Sequence, residues 1–492
     1  MTELPSLPTT ANTTIGGNEK PPSIHDENLI TFIQPFDSQN PLQWSLKKKW
    51  LVTSVMSAAA FIRITSSTIM APALDTIAAD LHMNSTESSM ALSVYLLASA
   101  FGPLILSPLS EMYGRSKVLH ASNAWFLLWN LLCGFANTKG LLIASRALAG
   151  FGGSVAYALG TAVLGDVWTP EERGRSIGIY YFVPLLGSAI GPTIGGYITQ
   201  YASWRWVFWS LSAGHGALFI FSFFAFKETY APIILRRRAE HFRKTTGNQN
   251  LFTLGERLDE GQTVTAVLSR SLTRPVRLLL FHPIIQVISV LEAFLYGLLY
   301  IGLSTFANLW TQRYNESVAT SGLHYFAFAI GELAAAEIGA PIMDVVFRRL
   351  KAKHNGQIQP EYRIPLLLPG LVITPIGYLI YGWTAQARAP WQVVDLGVLI
   401  LAFGLQLLGT PLQAYIIDAY PDHAGSATAA SQLLRSLAAF AFPLFAPKMY
   451  VSLGYGWGNT LLALLLVVLC GPAPMLLWKY GPGLRRRAQS SH

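Results

Sequence analysis

The stretch Ser107–Arg115, SPLSEMYGR, comes back 233 residues later as Ala340–Arg348, APIMDVVFR. Both copies share a small residue, Pro, an aliphatic residue, an acid, and an Arg four positions beyond the acid, and both end a long apolar segment. A second echo, Asp166-Val-Trp168 and Asp418-Ala-Tyr420, lies 252 residues apart and also closes apolar segments. Matched repeats at this distance predict two structurally equivalent halves.

Working outward, the chain is 52% hydrophobic and only 12% charged, against roughly 25% charged in an average soluble protein. Its mean hydropathy of +0.38 agrees. Lipid must be the solvent for much of that apolar surface. A bilayer core about 30 Å thick is crossed by about 20 apolar helical residues. With that ruler, spans are expected near 50–70, 90–110, 117–136, 141–163, 177–198 and 206–226, then 284–307, 322–343, 364–384, 394–415, 424–445 and 459–478. Their length and internal Gly and Pro suit helices rather than the short alternating strands of a barrel.

Charge fixes the orientation. With the N-terminus in the cytoplasm, inward segments carry 27 of the 35 Lys and Arg, outward loops 5, and the spans 3: Arg63, Arg146 and Arg435. That excess follows the positive-inside rule, so the +9 net charge reads as topology and not as a nucleic-acid footprint. The expected layout is a disordered cytoplasmic tail (1–49), a six-helix bundle (50–226), a cytoplasmic central loop (227–283), a second six-helix bundle (284–478) and a cytoplasmic tail (479–492). The basic run Arg236–Arg238 in the central loop either sets topology or grips anionic lipid. No hydrophobic core precedes Trp50, so no cleavable signal peptide is expected. Cys133 and Cys470, the only cysteines, fall inside spans and exclude a disulfide framework or a cysteine metal site. Asn84-Ser-Thr and Asn315-Glu-Ser fall in outward loops and are glycosylation candidates, whereas Asn12-Thr-Thr falls in the tail.

Several stretches together resemble the major facilitator superfamily, and within it the fungal twelve-span drug:proton antiporters. They include FGPLILSPLSEMYGRS (101–116), SRALAGFGG (145–153), LLGSAIGPTIGGYI (185–198), WRWVFW (204–209), KETYAPIIL (227–235) and RSLAAFAFPLFAPKMY (435–450). The resemblance implies an all-α major facilitator fold: 12 transmembrane helices in two pseudo-symmetric six-helix bundles around a central cavity. It further implies that Glu111, Gly114 and Arg115, with the repeat's Asp344 and Arg348, form the conformational motif. Glu111 would latch onto a helix N-terminus, that of span 11 near Ala424, when the outward-facing state forms. Gly187, Gly191, Pro192, Gly195 and Gly196 resemble the antiporter signature. Independently, the four-residue spacing of Gly187, Gly191 and Gly195 strips one face of span 5 for close helix approach.

Ionisable residues deep in spans are functional candidates by default. Glu292 and Glu332 both fall near the midplane, where burial penalises an ionised carboxyl and suits it to exchanging a proton. Glu337 is turned about 140° from Glu332 on the same helix. Arg63 is the expected partner of Glu292 or Glu332. Arg146 matches the family's span-4 arginine, linked there to proton transfer, with a structural hydrogen-bond hub as the alternative. For the acids and Arg63 the choice lies between coupling or cargo binding and a structural ion pair.

No Gly-Lys dipeptide, H-E-x-x-H or G-x-S-x-G occurs, so the residues of ATP-driven transport, zinc hydrolysis and serine hydrolysis are missing. The expectation is a monomeric, proton-coupled efflux pump in the cell membrane, exporting a hydrophobic or amphipathic molecule such as a drug, toxin or secondary metabolite. Its partners would be cargo, protons and lipid, with no nucleic acid, cofactor, metal or enzymatic activity. Alternatives are a polyamine or other nutrient transporter of the same fold, or a nontransporting receptor.

Overall fold

The computed structural model describes residues 28–33, 35–259, 263–355, 357, 359–420 and 424–489; Asn12 lies outside them. The first half comprises α1 (Leu46–Thr68), α2 (Ser85–Tyr113), α3 (Arg115–Gly134), α4 (Lys139–Val167), α5 (Pro170–Tyr201) and α6 (Arg205–Ala225). Three connecting helices follow: α7 (Ala231–Thr246), α8 (Leu254–Asp259) and α9 (Val264–Phe281). The second half holds α10 (Pro283–Asn308), α11 (Phe326–Lys353), α12 (Leu367–Gln386), α13 (Trp391–Ala419) and α14 (Ala424–Cys470), with α15 (Ala473–Gln489) after it.

Ten segments among the described residues are long and apolar enough to cross a membrane. Two details reconcile them with twelve crossings. The segment Gly425–Arg485 contains a reversal at Gly454, whose φ of 70° ends one helix and starts another. The helix α3, which carries Arg115, Lys117, His120 and two asparagines, is less apolar than these ten, although it packs between α4 and α6 as a full-length helix. The fold is the all-α arrangement of two six-helix bundles.

The glycines of span 5 show what holds these helices so close. A Cβ on Gly187 would sit 2.9 Å from Thr65 Oγ1, one on Gly191 2.8 Å from Thr68 Oγ1, and one on Gly195 1.9 Å from the Ile69 carbonyl oxygen. The stripped face of α5 therefore lies directly on the backbone of α1. The neighbouring face seals the bundles together. A Cβ on Gly196 would meet the Val318 carbonyl oxygen at 2.5 Å, and one on Gly322 the Pro192 carbonyl oxygen at 2.5 Å. Thr193 Oγ1 donates to the Gly322 carbonyl (3.0 Å), the Ala319 amide donates to Gln200 Oε1 (2.8 Å), and Gln312 donates to Asp75 (3.0 Å). These contacts sit on the face opposite the chain's N-terminal tail, here the far side. Among the described residues no tail-side ion pair joins one half to the other: Lys49–Glu172 and Arg115–Asp166 lie in the first, Arg363–Asp418 in the second.

The N-terminal tail departs from expectation. Residues 28–33 and 35–45, assigned to a disordered tail, lie across α7. The Arg238 guanidinium grips Asp37 through two hydrogen bonds (2.7 and 2.9 Å), and this charge-assisted pair holds the Asp37 carboxyl well below the ordinary carboxylate range. Leu29 pairs with Phe252 as a short parallel bridge, and α1 begins at Leu46 rather than 50. At the other end α15 is helical, and Arg485 reaches back to Glu361 (2.7 Å).

Gly195→Ala forces a Cβ into the Ile69 carbonyl, and overpacking of this kind costs about 1–3 kcal/mol. The expected result is a clear drop in detergent thermal midpoint and monodisperse yield. Gly214→Ala, where a Cβ meets nothing within 4 Å, leaves both unchanged or slightly improved.

Candidate functional site

A cavity opens among α10, α11, α13 and α14, with an empty volume of about 500 Å³ including the solvent it opens to. Its polar lining is Glu292, Glu332, Gln406, Thr410, Gln413 and Arg435; Leu295, Leu299, Leu405 and Tyr296 supply the apolar part. Gln406, Thr410 and Gln413 recur at i, i+4 and i+7, which puts one polar stripe down the inner face of α13. All these residues belong to the second half, so the cavity is set into one wall and not shared evenly between the two.

The two midplane acids differ in their company. Glu292, 3% exposed, accepts a hydrogen bond from Ser431 and lies 3.9 Å from Arg435 Nε. Arg435 is itself held by Gln432 and faces the Tyr296 ring, 5.4 Å from its centroid. Glu332 is also buried, yet its polar contact is Ser188 of α5, 3.5 Å away in the other half. Among the described residues no cation forms an ion pair with it.

The expected pair between Arg63 and one of these acids is not made. Glu292 takes Arg435 from its own half, because α14 packs along α10 and presents Ser431 and Arg435 one turn apart. Arg63 instead stacks its guanidinium on Tyr157, 3.8 Å from the ring centroid, and donates to Ser99 at 3.5 Å. Tyr157 in turn meets Tyr296 of α10, and Tyr300 reaches Ser67 of α1. A layer of tyrosines therefore connects the halves beside the acids.

Arg146 is fully buried and bonded to backbone carbonyls. It donates to the Ser66 carbonyl (2.9 Å) and the Ala91 carbonyl (3.4 Å), and lies over Tyr95 at 4.6 Å. A midplane arginine costs at least ~2.5 kcal/mol, and hydrogen bonds from a charged donor contribute about 1.5–3 kcal/mol each. Two such bonds tying α4 to α1 and α2 offset the cost without an acid. Glu337 is exposed and lies outside the cavity lining, as its angular offset from Glu332 requires.

On the tail side the two sequence echoes converge into matching triads. In the first half Arg115 lies between Glu111 (3.8 Å) and Asp166 (3.3 Å). Gly114, at φ 101°, makes the turn that brings it there, and Glu228 accepts from the Arg115 amide at 2.9 Å to cap α3. In the second half Asp344 and Asp418 are joined in the same way, but by Arg363 (3.1 and 2.9 Å). The repeat's Arg348 is exposed and, among the described residues, donates only to the Asp344 carbonyl of its own helix. The longer connection after α11 lets the start of the next span supply the arginine of this triad. Among the described residues the ion pair of Glu111 is with Arg115. Glu111 is half exposed there, and α14 begins at Ala424, directly after the undescribed 421–423.

Sequence reasoning missed Ser431, the Arg435 partnership, Arg363 and Glu228. Arg435 carried a signal, being one of three arginines inside spans, and the Gln406–Thr410–Gln413 spacing was visible as a helical stripe. Asn84 and Asn315 are both exposed on the far side, and Asn84 also caps α2 in a reciprocal pair with Glu87.

A family model described as Major Facilitator Superfamily matches residues 56–443. "Probable efflux pump mfs2" of Aspergillus flavus is 53% identical over 424 residues, covering 86% of this chain and 100% of that protein. Efflux pump vrtL of Penicillium aethiopicum is 42% identical over 94% of this chain and 91% of its own length. Among solved structures, the xylose transporter XylE from E. coli superposes with a TM-score of 0.64 at 14% identity, over 88% of this chain and 98% of that one; this likeness concerns the fold.

Arg363→Gln removes the cation from two acids and should lower stability by about 1–2 kcal/mol, read as a fall in thermal midpoint in detergent. Arg348→Gln, at an exposed position, should stay within about 0.5 kcal/mol of the native chain. Equal effects would mean that the two arginines carry the same role.

Proposed function

The chain belongs to the Major Facilitator Superfamily and is a multi-pass membrane transporter that exports small molecules, and we propose that it drives export by exchanging its cargo for protons through Glu332. The observation that carries this reading is the contrast between the two buried acids. Neutralising Glu292 leaves Arg435 without its anion in a low-dielectric site, a loss that costs several kcal/mol in buried pairs. Neutralising Glu332 removes a buried charge and orphans no cation.

Glu332 also touches Ser188, inside the glycine-rich segment of α5 that forms the seam between the halves. A proton arriving there changes a contact between the two moving bodies, which is what coupling requires: the ligand must interact differently with the two states. The cavity is half apolar, with amides and hydroxyls along one wall. That lining suits an amphipathic cargo with a few hydrogen-bonding groups, and the efflux pumps among its relatives support export over uptake.

In this reading the tail side is the cytoplasm and the protein sits in the cell membrane. Basic residues concentrate on that side, at α7, α9 and the end of α11, as the positive-inside rule requires. The far-side loops with Asn84 and Asn315 then face outward. The α5 seam joins the halves on the far side, and in this reading cargo enters from the cytoplasm.

Expression in a yeast lacking its own pumps should lower accumulation of a fluorescent drug, and a protonophore should abolish the effect. In vesicles, Glu332→Gln should reduce transport driven by an imposed pH difference by about tenfold while leaving drug exchange at equal pH intact. Unchanged pH-driven flux in Glu332→Gln would reject the assignment.

A further inference from the structure

The connection between the halves carries two basic stretches, and acids occupy the first. On α7, Arg236 pairs with Glu240 (3.5 Å), Arg237 with Glu228 (3.8 Å) and Arg238 with Asp37 (2.7 Å). The run that sequence reading weighed as a lipid grip is therefore engaged in ion pairs within the protein.

The helix α9 is arranged differently. Its buried side, Pro275 and Leu278, packs against α2 of one half and α14 of the other. Helical geometry of about 100° per residue places Arg270, Arg274 and Arg277 along one edge. Leu272, Val276 and Leu280 form a separate stripe that is 37%, 42% and 64% exposed. Among the described residues Arg270 and Arg277 make no ion pair, in contrast to the arginines of α7. One residue, His282, separates α9 from α10, a helix long and apolar enough to cross the membrane, whose Val287 and Val290 are exposed. An exposed apolar stripe beside an arginine edge, running into a membrane-crossing helix, has the character of an interfacial helix.

We propose that α9 lies in the tail-side leaflet, seats Leu272, Val276 and Leu280 at the acyl boundary, and binds anionic phospholipid headgroups through Arg270 and Arg277. Polybasic edges next to a membrane span recognise anionic lipid by charge. Because α9 rests on one helix from each half, a lipid held there bears on the tail-side ends that separate when the halves rock. The inference needs only that the chain spans a membrane, and it stands whether or not transport is coupled to protons.

The test uses the full chain reconstituted in phosphatidylcholine vesicles with and without phosphatidylserine. Native Cys133 and Cys470 are buried, so a nitroxide can be directed to Val276→Cys. The label should collide more with dissolved oxygen than with a water-soluble nickel chelate, as in hydrocarbon. In native mass spectrometry the protein should retain phosphatidylserine in preference to phosphatidylcholine. The double variant Arg270→Gln/Arg277→Gln should weaken that preference on the order of tenfold. A label at Val276 that sits in water, because the face is solvated or taken by a soluble partner, overturns the proposal. So does a double variant that keeps the full phosphatidylserine preference.

Discussion

An ionised side chain in the middle of a bilayer must find a partner inside the protein, and this structure depends on how each such group meets that demand. Arg146 meets it with backbone carbonyls of two neighbouring helices. Arg63 meets it with an aromatic face. Glu292 and Arg435 meet it with each other. Glu332 is buried with a serine from the opposite half and no cation among the described residues. These three partnerships lie inside single halves, and the remaining acid sits where the bundles touch.

Rigid halves need a seam that is tight and yet releasable. The α5 glycines bring helix backbones into contact without side-chain interlocking, on α1 within one half and on residues 318–322 across to the other. Van der Waals contact between backbones is strong while geometry is kept and is lost within a small displacement. The tail-side triads do the complementary work. Each arginine ties helices of its own half.

Much of this was legible in the chain. Span lengths, the charge bias and the repeated turn specify two bundles, since each signal is local or periodic. The glycine spacing on α5 announced a packing face, and the spacing of Glu332 and Glu337 placed only one of them inward. Partner choice was not legible. Arg363 replaces Arg348 because a connection between spans is longer in the second half than in the first, and Glu292 meets Arg435 because two helices distant in sequence lie side by side. The N-terminal segment reads as polar and featureless, yet Asp37 finds Arg238 some two hundred positions away. Such pairings carry no periodic signature. They follow from the fold and cannot be read before it.

The central claim is that protonation of one acid biases the balance between the two arrangements of the halves. Its most direct measurement needs no cargo: dipolar distances between nitroxides at the exposed tail-side positions Tyr113 and Val345, one in each half, recorded in membranes as pH is stepped. The account predicts a distance distribution that shifts with pH in the native chain and stands still once Glu332 is replaced by glutamine. A distribution indifferent to pH in the native chain, or an equal shift without Glu332, would contradict it.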